Sequence, residues 1–152
     1  MSRDRVIEKQ RYDNRAEAYL KENTVFAGYG STGIREALAS QYSFYEELVA
    51  REVKKTDKVL ELGAGTSLHT ATLLQTGAEI TATDIAPNCL KLVSTNFPDY
   101  PNLRTKLADI ESLPFPDASF DLVVCAGSLS YGDNDLVLKE VYRVLRPKGA
   151  LI

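Results

Sequence analysis

From residue 58 onward, short apolar runs alternate along the chain with segments whose apolar residues recur at helical spacing. The apolar runs predict five strands, at residues 58–62, 79–83, 103–108, 120–125 and 149–152. The intervening segments predict helices at residues 67–76, 87–97 and 133–145. Strands that alternate with helices form right-handed crossovers, which build a parallel sheet covered on both faces. The predicted fold class is therefore α/β, with a doubly wound, mostly parallel sheet.

Ahead of the sheet, two further segments have helical periodicity, at residues 6–21 and 34–54. The intervening residues 26–33 predict a loop rich in glycine and aromatic residues. One stripe of the second helix contains Ile34, Leu38, Tyr42, Tyr45, Leu48 and Val49. Such stripes must be covered by each other or by the sheet. Residues 1–56 are therefore predicted to form a helical cap in the same domain as a core at residues 57–152.

Composition and charge favour a small-molecule ligand. The 152 residues are 44% hydrophobic and carry a net charge of −3, which argues against nucleic acid as an obligate partner. No apolar run approaches the roughly 20 residues of a membrane span, and the first ten residues lack a signal-peptide core. We therefore expect a cytoplasmic protein without a membrane partner. Cys89, Cys125 and a single His69 predict no metal site, and both cysteines are expected to be packed in the interior.

A glycine-containing turn follows the first predicted strand, in the stretch VLELGAGTSLHT. Gly63 and Gly65 leave room for a ligand to approach the backbone where the strand turns into a helix. A dinucleotide fingerprint requires a third glycine, but that position is Leu68, and the acidic Glu61 precedes the turn. A carboxylate near a pyrophosphate is unfavourable, whereas a ligand with a positive centre would be stabilised by it.

Two further acids end neighbouring predicted strands. Asp84 follows Gly63 by about 20 residues, where a doubly wound sheet places an acid that binds ribose hydroxyls. Asp109 comes just after the third strand, and therefore at the same edge of the sheet. Together with the glycine turn, these acids predict a site for an adenosine-containing ligand.

The motifs ELGAGTS, TATD, LADIESLPFPDASFDLVVC and LKEVYRVLRPKGALI, in this order, resemble the class I S-adenosylmethionine-dependent methyltransferases, most closely the type 11 group. The resemblance covers residues 58–152, and RYDNRAEAYL is similar to the first helix of many members. It implies S-adenosylmethionine as cofactor and a small organic molecule as methyl acceptor. One departure is Ser67 at the third small position of the glycine pattern, which should still admit the backbone.

The resemblance also implies roles for individual residues. Asp84 would bind the ribose with Ile85 against the adenine, and Asp109 would meet the adenine amino group with Ile110 packed on the ring. Tyr12 and Tyr19, two helical turns apart, would lie over the cofactor, although packing of both against the sheet is an equal alternative. The methionine end of the cofactor would be lined by Glu61, Gly63, Ala64 and Gly65.

The segment after the fourth strand, CAGSLSYGD, provides the polar residues expected beside the methyl acceptor: Ser128, Ser130 and Tyr131. The alternative is a plain turn in which Asp133 caps the next helix. The Asn/Asp-Pro-Pro-aromatic stretch of enzymes that methylate nucleic-acid bases does not occur there, which argues further against nucleic acid. No catalytic residue is predicted, because the need for a base depends on the acceptor: an acidic phenol, a thiol or a neutral amine can react without one, whereas an alcohol or a carbon centre usually needs proton removal.

Two alternatives to a methyltransferase remain at this stage, a non-catalytic S-adenosylmethionine-binding module and a nicotinamide-dependent oxidoreductase. The resembled family has two more strands after the fifth, so the chain is expected to be truncated there. A fifth strand left at the edge of the sheet would expose backbone donors and acceptors, which predicts self-association and weak turnover.

Overall fold

The computed structural model describes residues 3–22 and 34–152, and the side chains of Arg3 and of residues 34–42 lie outside the description. The loop predicted at residues 26–33 and part of the stripe predicted on the second helix therefore lie outside the described residues. Two long helices precede an alternating series of strands and helices. In chain order the elements are α1 (Arg3–Glu22), α2 (Ile34–Glu52), β1 (Lys58–Leu62), α3 (Leu68–Gln75), β2 (Glu79–Asp84), α4 (Pro87–Asn96), β3 (Leu103–Leu107), β4 (Phe120–Val124), α5 (Asn134–Val144) and β5 (Leu145–Leu151), with a short 3₁₀ turn at Leu129–Tyr131.

The five strands form one sheet in the order β3-β2-β1-β4-β5, and every pair of neighbours is parallel. The order reverses between β1 and β4, where a crevice opens at the carboxyl ends of the strands. This arrangement confirms the predicted α/β fold with a doubly wound sheet. Within the described residues, no helix combines the length and the apolar character that a membrane crossing needs.

The strands carry apolar residues toward both faces because helices cover each face. On one face, Val59 and Ile80 pack with residues of α2 and α3, including Val49 and Leu73. On the other face, Leu60, Leu62 and Val123 pack with Val137, Val141 and Val144 of α5. Ala16 of α1 packs in a smaller cluster with Ala86, Cys89 and Leu92 at α4. These contacts place α1 across the carboxyl edge of the sheet.

The fifth strand begins earlier than its apolar residues predicted. It starts at Leu145 rather than at Gly149, so the segment RPKG lies within the strand. The pairing with β4 shifts between Phe120 and Leu122, so that Leu122 is opposite Ala150. Lys148 has a φ of 72° in this bulge, and a Cβ on Gly149 would come within 2.8 Å of the Asp121 carbonyl oxygen. A bulge can carry Pro and Gly inside a strand, which a period-two pattern does not reveal.

Candidate functional site

A cavity of about 370 Å³ lies at the carboxyl edge of the sheet, beneath α1. Its volume is within the range of small-molecule sites. Its floor is formed by the glycine turn, the end of β2, Ile110 after β3 and the segment after β4. The opposite side of the cavity is formed by one face of α1. The floor residues are Gly63, Ala64, Gly65, Thr66, Leu68, His69, Asp84, Ile85, Ile110, Ala126, Gly127, Ser128 and Tyr131, and the α1 residues are Arg5, Glu8, Lys9, Tyr12 and Arg15.

The glycine turn has the left-handed backbone that its sequence predicts. Gly63 and Gly65 have φ values of 69° and 52°. A Cβ on Gly63 would lie 1.9 Å from the Ser128 Oγ atom, so a side chain at this position would clash with the segment after β4. Ser67 is also left-handed, with φ 71°, and its buried Oγ accepts a hydrogen bond from Asn96 Nδ2 at 2.6 Å. The turn is thus closely packed below and open to the cavity above.

Asp84 ties the glycine turn to the start of α4. Its Oδ2 accepts a hydrogen bond from the Gly65 backbone N–H at 2.9 Å, and its Oδ1 accepts one from the Ala86 N–H at 2.8 Å. Burial raises the pKa of Asp84, and the backbone hydrogen bonds oppose this shift. A carboxylate has about four acceptor positions, so this one can still accept bonds from a ligand.

Glu61 lies beneath the turn, on the same face of β1 as Val59, and is 2% exposed. The Thr70 hydroxyl donates a hydrogen bond to its Oε2 at 2.8 Å. Burial raises the pKa of Glu61 to about 7; the Thr70 hydrogen bond opposes the shift, and the charge of Asp84 adds to it. The side chain therefore supports the turn from inside and does not itself line the cavity.

Asp109 also lies outside the cavity lining, whereas the adjacent Ile110 is part of it. The Asp109 Oδ1 accepts hydrogen bonds from the Glu111 N–H, at 2.9 Å, and from the guanidinium of Arg5. The same guanidinium forms an ion pair with Glu111. Arg5 thereby joins the start of α1 to the segment after β3, at the place where the sequence predicted an adenine contact.

Tyr12 and Tyr19 lie in different surroundings, although both are on one side of α1. Tyr12 lines the cavity, and its Cε1 would be 3.9 Å from a Cβ on Gly65. Tyr19 packs with Leu20 against the small cluster at α4 and is not part of the cavity lining. Tyr12 packs against the same cluster as well, so the packing alternative applies to both rings, and the position of Tyr12 over the cofactor stays a prediction.

Of the three polar residues predicted after β4 to contact the acceptor, two line the cavity and one does not. Ser128 and Tyr131 line the cavity, whereas Ser130 is exposed to solvent outside it. The Tyr131 hydroxyl lies 3.4 Å from the Tyr12 hydroxyl, with the two rings edge to face. Asp133 caps α5, since its Oδ1 accepts hydrogen bonds from the N–H groups of Asp135 and Leu136. The segment thus contributes two of these three polar residues to the cavity lining and also contains the predicted helix cap.

Several cavity residues were not among those predicted from the sequence. His69 lines the cavity and packs edge to face against Tyr45, with 4.6 Å between ring centroids, and burial lowers its pKa. The charged side chains of α1 were missed as well, although Arg5, Glu8 and Arg15 share the helical spacing of Tyr12. Within the part of the chain that the structure describes, no group of three or more potential ligands is placed to hold a metal ion.

Comparison with known proteins assigns the family. Residues 60–152 match the family described as "Methyltransferase domain". The chain is 30% identical to a demethylmenaquinone methyltransferase of Tropheryma whipplei, over 95% of this chain and 56% of that protein. It is 39% identical to a malonyl-[acyl-carrier protein] O-methyltransferase of Halorhodospira halophila, over 62% of this chain and 33% of that protein.

Among solved structures, a SAM-dependent methyltransferase from Aquifex aeolicus shares the fold, with a TM-score of 0.61 at 20% identity over 67% of this chain and 58% of that one. The chain thus spans between 33% and 58% of the length of these three proteins. The family match extends over more than half of the chain, and the sheet is parallel and doubly wound as predicted. The chain therefore belongs to the methyltransferase domain family, and its sheet has the fold of the SAM-dependent methyltransferase from Aquifex aeolicus.

Proposed function

We propose that the cavity binds S-adenosylmethionine and that the chain transfers its methyl group to a small organic acceptor. The observation that carries the proposal is the glycine turn held by Asp84 at the carboxyl edge of the sheet. Gly63 and Gly65 present open backbone to the cavity there, and Asp84 retains acceptor positions for hydroxyl groups.

The walls of the cavity suit the two ends of this cofactor. Ile85 and Ile110 supply apolar surface for a flat base, and both line the cavity. Asp109 accepts its described hydrogen bonds through Oδ1, so its other oxygen is a fitting acceptor for an amino group. At the opposite end, the sulfonium and ammonium groups of the cofactor would favour the ionised form of Glu61 beneath the turn.

When bound, the cofactor supplies a methyl group on a positively charged sulfur. The residues of the chain contribute alignment of the acceptor and exclusion of water. The rings of Tyr12 and Tyr131 are suited to both tasks, because they meet above the glycine turn. An aromatic ring near the positive centre contributes on the order of 0.5–2 kcal/mol by cation–π attraction.

The acceptor class is proposed on two grounds. The similar proteins of Tropheryma whipplei and Halorhodospira halophila are named for a quinone precursor and a malonyl group on a carrier protein. The net charge of −3 disfavours nucleic acid. Ser128 and Tyr131 are the proposed acceptor contacts after β4. We also propose a cytoplasmic location.

Calorimetric titration of the chain with S-adenosylmethionine and with NAD tests the cofactor assignment. We expect binding of S-adenosylmethionine and none of NAD, because Leu68 stands where a dinucleotide site needs glycine. Asp84→Ala should weaken binding by roughly 1–3 kcal/mol, the usual cost of losing one partner of a charged hydrogen bond.

The matched control is Asp99→Ala, since Asp99 is an exposed aspartate outside the cavity lining. It should leave the affinity unchanged. Tight NAD binding by the parent chain, or equal affinities of the parent and Asp84→Ala for S-adenosylmethionine, would show that the assignment is wrong.

A further inference from the structure

The face of α1 that covers the cavity has two rows of side chains on either side of Tyr12. Ala16, one turn after Tyr12, packs toward α4 with Ala86 and Cys89. Glu8, one turn before Tyr12, is rotated to the other side of it and also lines the cavity. Glu8 therefore lies on the side of α1 that faces away from α4.

The surroundings of Tyr131 show which part of the cavity Glu8 reaches. The pKa of Tyr131 is raised first by its hydrogen bond with Tyr12 and by burial, and then by the charges of Tyr12 and Glu8, with Arg11 opposing. Glu8 lines the same cavity as Tyr12 and Tyr131, one helical turn from Tyr12, and this placement agrees with the effect of its charge on Tyr131. The pair of Tyr12 and Tyr131 closes the end of the cavity where the acceptor is proposed to bind.

The two oxygens of Glu8 have different environments. Oε1 forms an ion pair with the exposed Arg11, with 3.2 Å between Oε1 and Nη1. Oε2 is buried and has no hydrogen-bond partner among the described residues. A buried carboxylate oxygen without a donor is unfavourable, so a ligand that brings an O–H or N–H group to it would be stabilised.

Other carboxylates near the cavity are already engaged. Asp84 accepts two backbone hydrogen bonds, and Asp109 and Glu111 share the guanidinium of Arg5. His69 also lines the cavity, but it packs against the ring of Tyr45, and burial lowers its pKa. Glu8 is therefore the carboxylate best placed to meet a proton of the acceptor.

Resting on the proposed function, we propose that Glu8 is the proton acceptor of the transfer and that the methyl acceptor is a hydroxyl compound. The acceptor hydroxyl donates to Glu8 Oε2 beside the hydroxyls of Tyr12 and Tyr131. As the oxygen lone pair bonds to the methyl carbon, the carbon–sulfur bond breaks and its electron pair stays on sulfur. The hydroxyl proton passes to Glu8, so that the products are a methyl ether, a neutral thioether and a protonated carboxyl group.

A pair of acceptor probes separates a chemical role of Glu8 from a structural one. Catechol is a weak acid and is almost wholly protonated at neutral pH, so its hydroxyl must lose a proton during the transfer. Benzenethiol is already largely ionised at neutral pH and needs no base. Glu8→Gln keeps the size and polarity of the side chain but cannot take up the proton. We expect this variant to bind S-adenosylmethionine like the parent, to methylate catechol at least 100-fold more slowly, and to methylate benzenethiol within about threefold of the parent rate.

The matched control is Glu17→Gln, which removes an exposed carboxylate from α1 outside the cavity lining and should change neither rate. Equal losses with both probes, an unchanged catechol rate, or a parent that methylates no catechol would overturn the proposal. A catechol-selective loss in His69→Gln but not in Glu8→Gln would overturn it as well. If the parent fails to bind S-adenosylmethionine, the proposed function itself is wrong; if it binds but lacks the selective loss, only the role of Glu8 is wrong.

Discussion

At the scale of single residues, Glu61 couples the stability of the fold to pH. Burial raises its pKa from 4.5 to about 7, against the opposing hydrogen bond from Thr70. The folded chain therefore binds more protons than the unfolded chain between these two values. Stability from this group is complete below pH 4.5 and is lost as pH rises to about 7, by on the order of 3 kcal/mol.

Glu61→Gln removes this titration, and the amide oxygen of the new side chain can still accept the hydrogen bond from the Thr70 hydroxyl. We expect the free energy of unfolding of the parent to fall by about 2–3 kcal/mol relative to this variant between about pH 5 and pH 8. Urea unfolding at both pH values measures the difference. Glu17→Gln, at an exposed site, should follow the parent. Parallel profiles of the parent and Glu61→Gln would contradict the prediction.

At the scale of elements, a side chain of α1 accepts the hydrogen bond that an N-cap residue of α4 would otherwise accept. Ala86, at the N-cap of α4, has no side-chain hydrogen bond to offer. Asp13 of α1 accepts hydrogen bonds from the Asn88 N–H at 2.8 Å and from Asn88 Nδ2 at 3.0 Å. A carboxylate at a helix N-terminus satisfies a free N–H group and interacts favourably with the helix dipole. The two helices are therefore joined at the point where β2 enters the cavity.

Asp13→Ala should lower the free energy of unfolding by about 1–2 kcal/mol and increase hydrogen exchange in α1 and in the first turn of α4. It should also weaken binding of S-adenosylmethionine, because Tyr12 is held over the glycine turn by the same helix. Glu17→Ala, which loses a surface ion pair with Lys21 and an attraction to Lys91 but no cap of α4, provides the comparison. The same exchange rates in Asp13→Ala and in the parent would show that α1 is held in another way.

At the scale of the whole molecule, the two edges of the sheet differ. β3 carries Arg104 and Lys106, and charged residues on an edge strand discourage pairing with another chain. The first part of β5 also carries charged residues, Arg146 and Lys148, but its last three residues, 149–151, are uncharged. This end of β5 pairs with β4 alone among the described strands and exposes 37% of Leu151. Tyr142 and Leu138 of α5 are also exposed, at 84% and 48%. We therefore predict that the chain self-associates through the β5 edge.

Light scattering over a range of concentrations tests this prediction. The average mass of the parent should rise with concentration, and Leu151→Lys should keep it near that of a monomer. Leu107→Lys places the same charge on the exposed end of β3 and should not reduce association. A parent that stays monomeric, or equal suppression by both variants, would contradict the prediction.

Local patterns along the sequence determined the fold class, the positions of the first four strands and the position of the glycine turn. The predicted and observed ranges of β1 are identical. A short apolar run that begins after charged residues and ends at a glycine identifies a buried strand from neighbouring residues alone. The predicted pairing of Gly63 and Gly65 with Asp84 also follows from spacing within one crossover. By contrast, the start of β5 depended on a bulge opposite β4, which no local pattern reveals.

Only the tertiary structure decided which side chains meet across the cavity. Arg5 and Asp109 are 104 residues apart, and Tyr12 and Tyr131 are 119 apart. Sequence alone could show that Glu61 precedes the turn, but not that burial raises its pKa toward neutrality. Helical and strand periodicity are properties of neighbouring residues, whereas burial and the meeting of distant charges depend on how the finished elements pack.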